Sequence, residues 1–472
     1  MRRIVIFLFP ILLLSGAPLH AQSVSVPNGD IDRTFGVVEA YYRPDDAVEL
    51  GATWDRMIFY WYDFQPSHPL QWRTGHMDPA IFEAAAAGNR TIAGIVKGTP
   101  EWASHERLPG GVPFGLHLPI DDPRNFWAAY LRRLVAEYQP LGVRDWIIWN
   151  EPDIRPGEGG VPEFLGDVED FYHIVRVAYL AIKSVDPDAH VNLPGMLWWG
   201  DRNFRREPYL GRLLRYIYND PQAAANNYYF DGIGIHQFFN TGNVWNVFMH
   251  NIQILRSYGL GNKEIWFDEY NASPRRDPEA RIRAPLQANL QQQADYIVQA
   301  SATALAAGAT RIAVYRLYDN HFVPGLSEPW GLIRGDGTRR PAFYAYQQVI
   351  QRFPGARAIQ RYHIPEGTLI TFLFEDRTLY VMWSNTFRGG EFLINANRLE
   401  GEFIVTNAQA EETAVSVVVE GGAPILRIPA PGAERIDLPS VVIAGEVRLV
   451  ELPGGPRTVF YRTELGAVTQ IR

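Results

Sequence analysis

From Phe35 onward the chain alternates between two hydrophobic periods. Short apolar runs rich in β-branched and aromatic residues give way to longer stretches where apolar residues return every three or four positions. The short runs read as buried strands and the long ones as amphipathic helices. Strands are predicted at 35–42, 56–62, 91–97, 145–149, 190–195, 232–237, 264–268 and 311–317. Helices are predicted at 124–138, 168–184, 208–218, 244–257 and 291–307, and 343–351 closes the last round. Eight βα rounds predict an α/β fold, a closed parallel (β/α)8 TIM barrel.

A doubly wound open sheet would show the same alternation. The glycine-rich nucleotide loops of such sheets are absent between strand and helix, and Gly232-Ile233-Gly234 lies inside a predicted strand. The period changes near Phe353-Pro354-Gly355. Beyond it come short alternating strands broken by glycine and proline, among them 368–374, 378–383, 402–405, 414–419, 441–449 and 458–461. They predict an all-β sandwich. The organisation expected is a signal peptide at 1–21, a barrel at 22–353 and a C-terminal β-sandwich at 354–472.

The signal peptide rests on Arg2 and Arg3, the apolar run from Ile4 to Leu14, and the small residue ending Leu19-His20-Ala21. The run falls short of the ~20 residues that span a bilayer, which argues against a membrane anchor. Cleavage after Ala21 predicts a secreted or periplasmic protein with no membrane span. It removes two basic residues and no acid from a chain whose formal charge is already −8. That balance argues against a nucleic-acid partner. With no cysteine, disulfides, thiolate metal sites and cysteine nucleophiles are excluded. The 11 histidines are scattered without an HExxH pair, so neither a metal nor a cofactor is expected.

Reacting groups in a barrel sit at the C-terminal ends of the strands. Two apolar strands end in acids there. Trp146-Ile147-Ile148-Trp149-Asn150 runs into Glu151-Pro152, and Ile265-Trp266-Phe267 runs into Asp268-Glu269-Tyr270-Asn271. Pro152 is expected to hold Glu151 out of helical geometry. Strand alternation gives Asp268 and Glu269 opposite directions, so only one is expected to enter the site. Two carboxyl groups facing one another are what glycoside hydrolysis requires.

Trp149-Asn150-Glu151-Pro152 resembles the acid/base motif of clan A glycoside hydrolases, and Phe267-Asp268-Glu269-Tyr270-Asn271 resembles their seventh-strand nucleophile motif. The sequence is most similar to family 39, which includes β-xylosidases and α-L-iduronidases. Trp330-Gly331-Leu332-Ile333 through Pro341-Ala342-Phe343-Tyr344-Ala345 is similar to that family's last barrel segment. The resemblance implies a retaining hydrolase with Glu151 as general acid/base and Glu269 as nucleophile. It implies a xyloside or another plant or bacterial polysaccharide fragment as substrate. It places Arg56 under the nucleophile and His236 in the site. Asn150 can bond a sugar hydroxyl, and Trp102, Trp198 and Trp330 are rings suited to sugar faces.

Two positions depart from the clan pattern. Phe238 stands where a tyrosine often bonds the nucleophile, and Tyr315-Arg316 where a tryptophan often ends strand eight. Arg316 is therefore read either as a fork for a substrate carboxylate or as the partner of an acid such as Asp319. Three other readings of the chain stand beside the hydrolase: a catalytically inactive sugar-binding barrel, a transglycosylase using the same two acids, and a structural cell-surface protein. The oligomeric state is not legible.

Overall fold

The computed structural model describes residues 33–158, 160–280, 286–319, 328–397, 400–434 and 442–472. The signal-peptide reading of 1–21 lies outside them. Eight parallel strands close into a barrel: β1 (Phe35–Val38), β2 (Trp54–Tyr60), β3 (Thr91–Lys97), β4 (Asp145–Ile148), β5 (His190–Met196), β6 (Gly232–Phe238), β7 (Glu264–Asn271) and β8 (Arg311–Val314). β8 pairs back onto β1. The strands are apolar along almost their whole length because one face meets the helices and the other the barrel interior.

The interior is filled. Trp54 and Trp266 lie 5.7 Å apart between ring centroids. Gly36 makes the space for Trp54, since a Cβ there would fall 2.3 Å from the indole. At the N-terminal end of the strands, Arg311 binds both oxygens of Asp145 at 3.0 and 3.1 Å and lies 4.1 Å over Trp266. This closes the floor and leaves the opposite end open for a site.

Helices 168–184 and 208–218 of the sequence reading appear as Val168–Val185 and Tyr209–Asn219. The first is started by a capping box between Asp167 and Asp170. The helix Leu290–Ala306 is buried on nearly every side, its polar residues included. The C-terminal domain covers its outer face. Gln299 Nε2 donates to the Gly445 carbonyl at 2.7 Å, and the Val447 amide donates to Asp295 Oδ1 at 3.0 Å.

That domain is one antiparallel sheet of ten strands: β9 (Ala358–His363), β10 (Gly367–Leu373), β11 (Arg377–Ser384), β12 (Gly390–Asn395), β13 (Glu402–Thr406), β14 (Glu412–Glu420), β15 (Ala423–Ala430), β16 (Arg448–Pro453), β17 (Val459–Thr463) and β18 (Val468–Gln470). Their order is β18-β17-β12-β15-β14-β13-β16-β11-β10-β9. The sheet curls so that Leu369, Tyr380 and Met382 pack with Phe392, Ile428 and Tyr461, the two-layer core of a sandwich. The other face of β10 and β11, with Phe372, Val381 and Trp383, joins the core of the barrel.

One predicted strand is corrected. Residue 441 lies outside the described residues, and the residues from 442 to 447 are not strand; β16 begins at Arg448. Backbone groups of Val442, Gly445 and Val447 bond the barrel, and the Gly445 amide also donates to the Ser384 carbonyl of β11 at 2.9 Å.

Burial pushes the Asp295 carboxyl up to about 7. The native state therefore holds a proton that the unfolded chain releases near pH ~4. The stability linked to Asp295 is full below that pH, falls as pH rises, and is gone above about 7. Asp55 and Asp153, also raised to about 7 by burial, act in the same direction. Melting temperature should thus fall between pH 5 and pH 8. In Asp295→Asn the fall should be smaller, and an unchanged slope would rule out this account.

Candidate active site

The two candidate acids sit near the C-terminal ends of β4 and β7. After β4 the chain leaves extended geometry abruptly: Trp149 has φ 71° and Glu151 φ 40°. Left-handed backbone is costly for non-glycine residues and persists where packing fixes it. Here the buried Trp149 indole donates to the Glu163 carbonyl at 2.9 Å, and the Glu151 amide donates to the Gly195 carbonyl at 3.2 Å. The turn lifts Glu151 into a cavity of about 740 Å³ at the open end of the barrel. That volume lies within the ~300–1,000 Å³ usual for ligand sites.

His236, on β6, is buried and bridges the acids. Its Nδ1 lies 2.7 Å from Glu151 Oε1, and its Nε2 lies 3.2 Å from Glu269 Oε2. Gly195 makes room for it, since a Cβ there would fall 2.0 Å from the ring. Arg56, on β2, reaches Glu269 Oε2 with Nη2 at 2.9 Å. An oxygen of Glu151 and one of Glu269 lie within 4.8 Å of each other.

Asp268 and Glu269 do not point in opposite directions as alternation predicts, although only Glu269 lines the cavity. The register of β7 shifts against both neighbours: Trp266 pairs with Gly234, yet Glu269 pairs with His236. This bulge turns both acids toward the same side. Asp268 Oδ2 lies 3.4 Å from Arg56 Nη1 and 3.6 Å from His236 Nε2. The two acids still differ in access, because the Asp268 side chain is 1% exposed and that of Glu269 11%. Gly234 leaves the space Asp268 occupies, with a hypothetical Cβ only 2.7 Å from its Oδ1. Glycine inside two neighbouring strands was the signal available in the sequence for this close approach.

The charges respond to this crowding. Burial raises the pKa of Glu151, and the negative charge of Glu269 adds to the rise against the hydrogen bond from His236. Burial disfavours a charged His236, but the carboxylates of Glu269 and Asp268 outweigh it and hold the imidazole well above its ordinary range. Burial likewise opposes ionisation of Asp268, and the positive charges of His236 and Arg56 prevail and lower it. Glu151, His236 and Glu269 could each offer one ligand atom to a metal. A cation there would meet the Arg56 guanidinium, 3.4 Å from His236 Nε2, so this set suits a proton better than a metal.

Of the other residues read from the sequence, Asn150 and Trp330 line the cavity. Trp330 packs edge-on against Phe238 and Phe239, with centroids 5.1 and 5.7 Å away. Trp102 is placed elsewhere: its indole donates to the Gln65 carbonyl at 2.7 Å and packs on Trp61 and Phe126. Trp198 begins the short helix Trp198–Asn203 and lines a different cavity, while the next residue, Trp199, lines this one. One helical step rotates a side chain by about 100°.

Arg316 is committed to Glu39, with Nη1 2.9 Å from Oε2. Asp319 is held instead by Arg340 at 2.7 Å and by the amides of Trp330 and Gly331. Glu39 follows β1 with φ 62° and lines the cavity. Sequence reasoning passed over it, as it did the ion pairs Lys97–Glu163 and Arg275–Glu328 that line the same cavity. Tyr315 also lines the cavity, and burial together with the charge of Glu269 holds its phenol far above its ordinary range.

No family model matches the sequence, and no curated protein matches it. Solved structures do match. A family 39 glycoside hydrolase from the gut symbiont Bacteroides cellulosilyticus WH2 is 16% identical with a TM-score of 0.65, over 89% of this chain and 82% of that one. A glucosidase from Croceicoccus marinus is 12% identical with a TM-score of 0.57, over 91% of this chain and 97% of that one. A family 30 endoxylanase from Clostridium papyrosolvens C71 is 11% identical with a TM-score of 0.53, over 89% and 96%. The chain thus shares the fold of these glycoside hydrolases, and here that fold is a closed eight-stranded parallel barrel followed by a curled antiparallel sheet.

Proposed function

We propose that the protein is a retaining glycoside hydrolase with Glu269 as nucleophile and Glu151 as general acid/base. The observation that carries the proposal is the approach of the two carboxylates, with oxygens within 4.8 Å across a cavity open to a ligand. Retaining enzymes hold their acids ~5–5.5 Å apart, whereas inverting enzymes need ~6.5–9.5 Å to fit a water between them.

The charges of the site are consistent with both steps. The mechanism starts with Glu151 protonated and Glu269 as a carboxylate; the raised pKa of Glu151, and the contacts of Glu269 with Arg56 and His236, favour that arrangement. His236 can donate to one oxygen of Glu151 and leave the other free to protonate the departing oxygen. Attack of Glu269 on the anomeric carbon forms a glycosyl ester and removes its charge. The acidity of Glu151 then increases, and ionised Glu151 serves as base for the incoming water.

The resemblance of the motifs to family 39, and the endoxylanase among the similar folds, support a xyloside as the first substrate to try. The basic and apolar N-terminal residues support export to the periplasm or beyond. Proton NMR of the first product released from an aryl xyloside, or from whichever aryl glycoside is turned over, tests the mechanism. The product should keep the anomeric configuration of the substrate, and initial inversion would remove Glu269 from the nucleophile role.

A further inference from the structure

The catalytic cavity has a wall that the two glutamates leave unused. Around the ring of strands, β8 stands beside β7, and β1 stands three strands from β4. Glu39 follows β1 and Tyr315 follows β8, and both line the cavity. The acid and the nucleophile of a retaining enzyme flank the scissile bond. The leaving group then lies on the side of Glu151, and the sugar being transferred lies toward β7, β8 and β1.

Glu39 is held in this wall by its surroundings. Its backbone is left-handed, with φ 62°, a conformation that glutamate rarely adopts. The buried Asp55 fixes the turn: its Oδ1 accepts the Ala40 amide at 3.0 Å and its Oδ2 the Tyr41 amide at 2.9 Å. Arg316 fixes the side chain, with Nη1 donating to Oε2 at 2.9 Å. Arg316 itself does not line the cavity, so it backs Glu39 from behind. The other oxygen, Oε1, makes no hydrogen bond to a described residue, and the side chain keeps 17% of its surface open. Strained backbone over-determined in this way is a mark of a functional position.

The charges of the lining select among sugars. Its basic side chains are Arg56, Lys97 and Arg275, and each is already paired with an acid: Glu269, Glu163 and Glu328 respectively. No cation among the described lining residues is left to receive a sugar carboxylate. A hydroxyl is a donor, and an ionised carboxylate binds it with a charge-assisted hydrogen bond. The hydroxyls on C3 and C4 of a pyranose lie across the ring from C1, the carbon that Glu269 attacks. A uronic acid carries its carboxylate on C5, next to C4, where it would meet Glu39 with like charge.

We propose that Glu39 is a specificity-determining residue of this site: it accepts the C3 or C4 hydroxyl of a neutral sugar and repels a uronic acid, and Arg316 positions it. The proposal rests on the glycoside hydrolase reading for the placement of the sugar and adds to it the class of sugar accepted.

Kinetics on nitrophenyl glycosides test it. The unmodified protein should prefer the β-D-xyloside, or whichever neutral glycoside is turned over in its place, to the uronide of the same configuration. Glu39→Gln keeps the shape of the side chain and removes its charge. It should lower kcat/KM for the neutral glycoside by roughly 10-fold to 100-fold and narrow the preference over the uronide by about tenfold or more. One of the two glycosides lacking the C3 or the C4 hydroxyl should be a poor substrate of the unmodified protein and lose little more in Glu39→Gln. A purely structural role of Glu39 would not produce that coupling. Equal losses on the parent and both deoxygenated glycosides, or a uronide preferred by the unmodified protein, would overturn the assignment. If no glycoside is hydrolysed, calorimetric titration with D-xylose and D-glucuronate still reads Glu39. Tighter binding of xylose that Glu39→Gln weakens would keep the residue and sink the catalytic reading, whereas binding that ignores the substitution, or none, would overturn both.

Discussion

Glu269→Ala is expected to abolish turnover on every glycoside, by a factor on the order of 10⁴ or more, because no group remains to form the glycosyl ester. The comparison that gives this result meaning is Asp268→Asn. Both acids touch Arg56 and His236, so contact alone does not choose between them. Access does: Glu269 lines the cavity and Asp268 is sealed beneath it. Asp268 accepts the Ile235 amide at 3.1 Å and holds the two cations in place, which makes it a positioning residue. Its loss should cost roughly 10-fold to 100-fold through misplacement of His236 and Arg56. It should also lower the pH at which His236 gives up its proton, seen as a shift of the alkaline limb of the pH–rate profile. A dead Asp268→Asn beside an active Glu269→Ala would exchange the two assignments.

The strands were legible because a barrel strand is buried on both faces and stays apolar whatever its neighbours do. The segments just after the strands were not, and the chemistry lies there. Glu39, Trp149, Glu151 and Phe239 all take left-handed backbone at strand ends, a choice made by tertiary packing against the preference of each residue. The bulge in β7 is of the same kind. Alternation separates neighbours in a regular strand, and one extra residue cancels it, so Asp268 and Glu269 turn to the same side although only Glu269 lines the cavity. Arg316 could be read as a charge at the site, but its partner Glu39 lies 277 residues away and no spacing rule connects them. In the C-terminal domain, β15 carries Pro424 and Pro429, which mask a strand that is nonetheless paired on both edges.

The two glutamates should separate most clearly through the leaving group. Glu151 is raised because burial and the charge of Glu269 oppose its ionisation and outweigh the pull of His236, which suits it to hold the proton that the first step needs. Glu151→Ala removes that proton from the first step and the base from the second. An alkyl or sugar leaving group departs poorly without protonation, so its release should slow by roughly 10²-fold to 10⁴-fold. A nitrophenolate needs little help, so formation of the glycosyl ester from an activated aryl glycoside should persist. Hydrolysis of that ester then becomes limiting, because water lacks its base while His236 and Arg56 still surround the site. Azide needs no base to attack, and the space left by the Glu151 side chain admits it. Added azide should therefore accelerate Glu151→Ala and yield a glycosyl azide of retained configuration, whereas Glu269→Ala should give no product of retained configuration with or without azide. Equal inactivity of Glu151→Ala toward activated and ordinary glycosides, with no response to azide in a protein that still melts cooperatively, would remove Glu151 from the acid/base role.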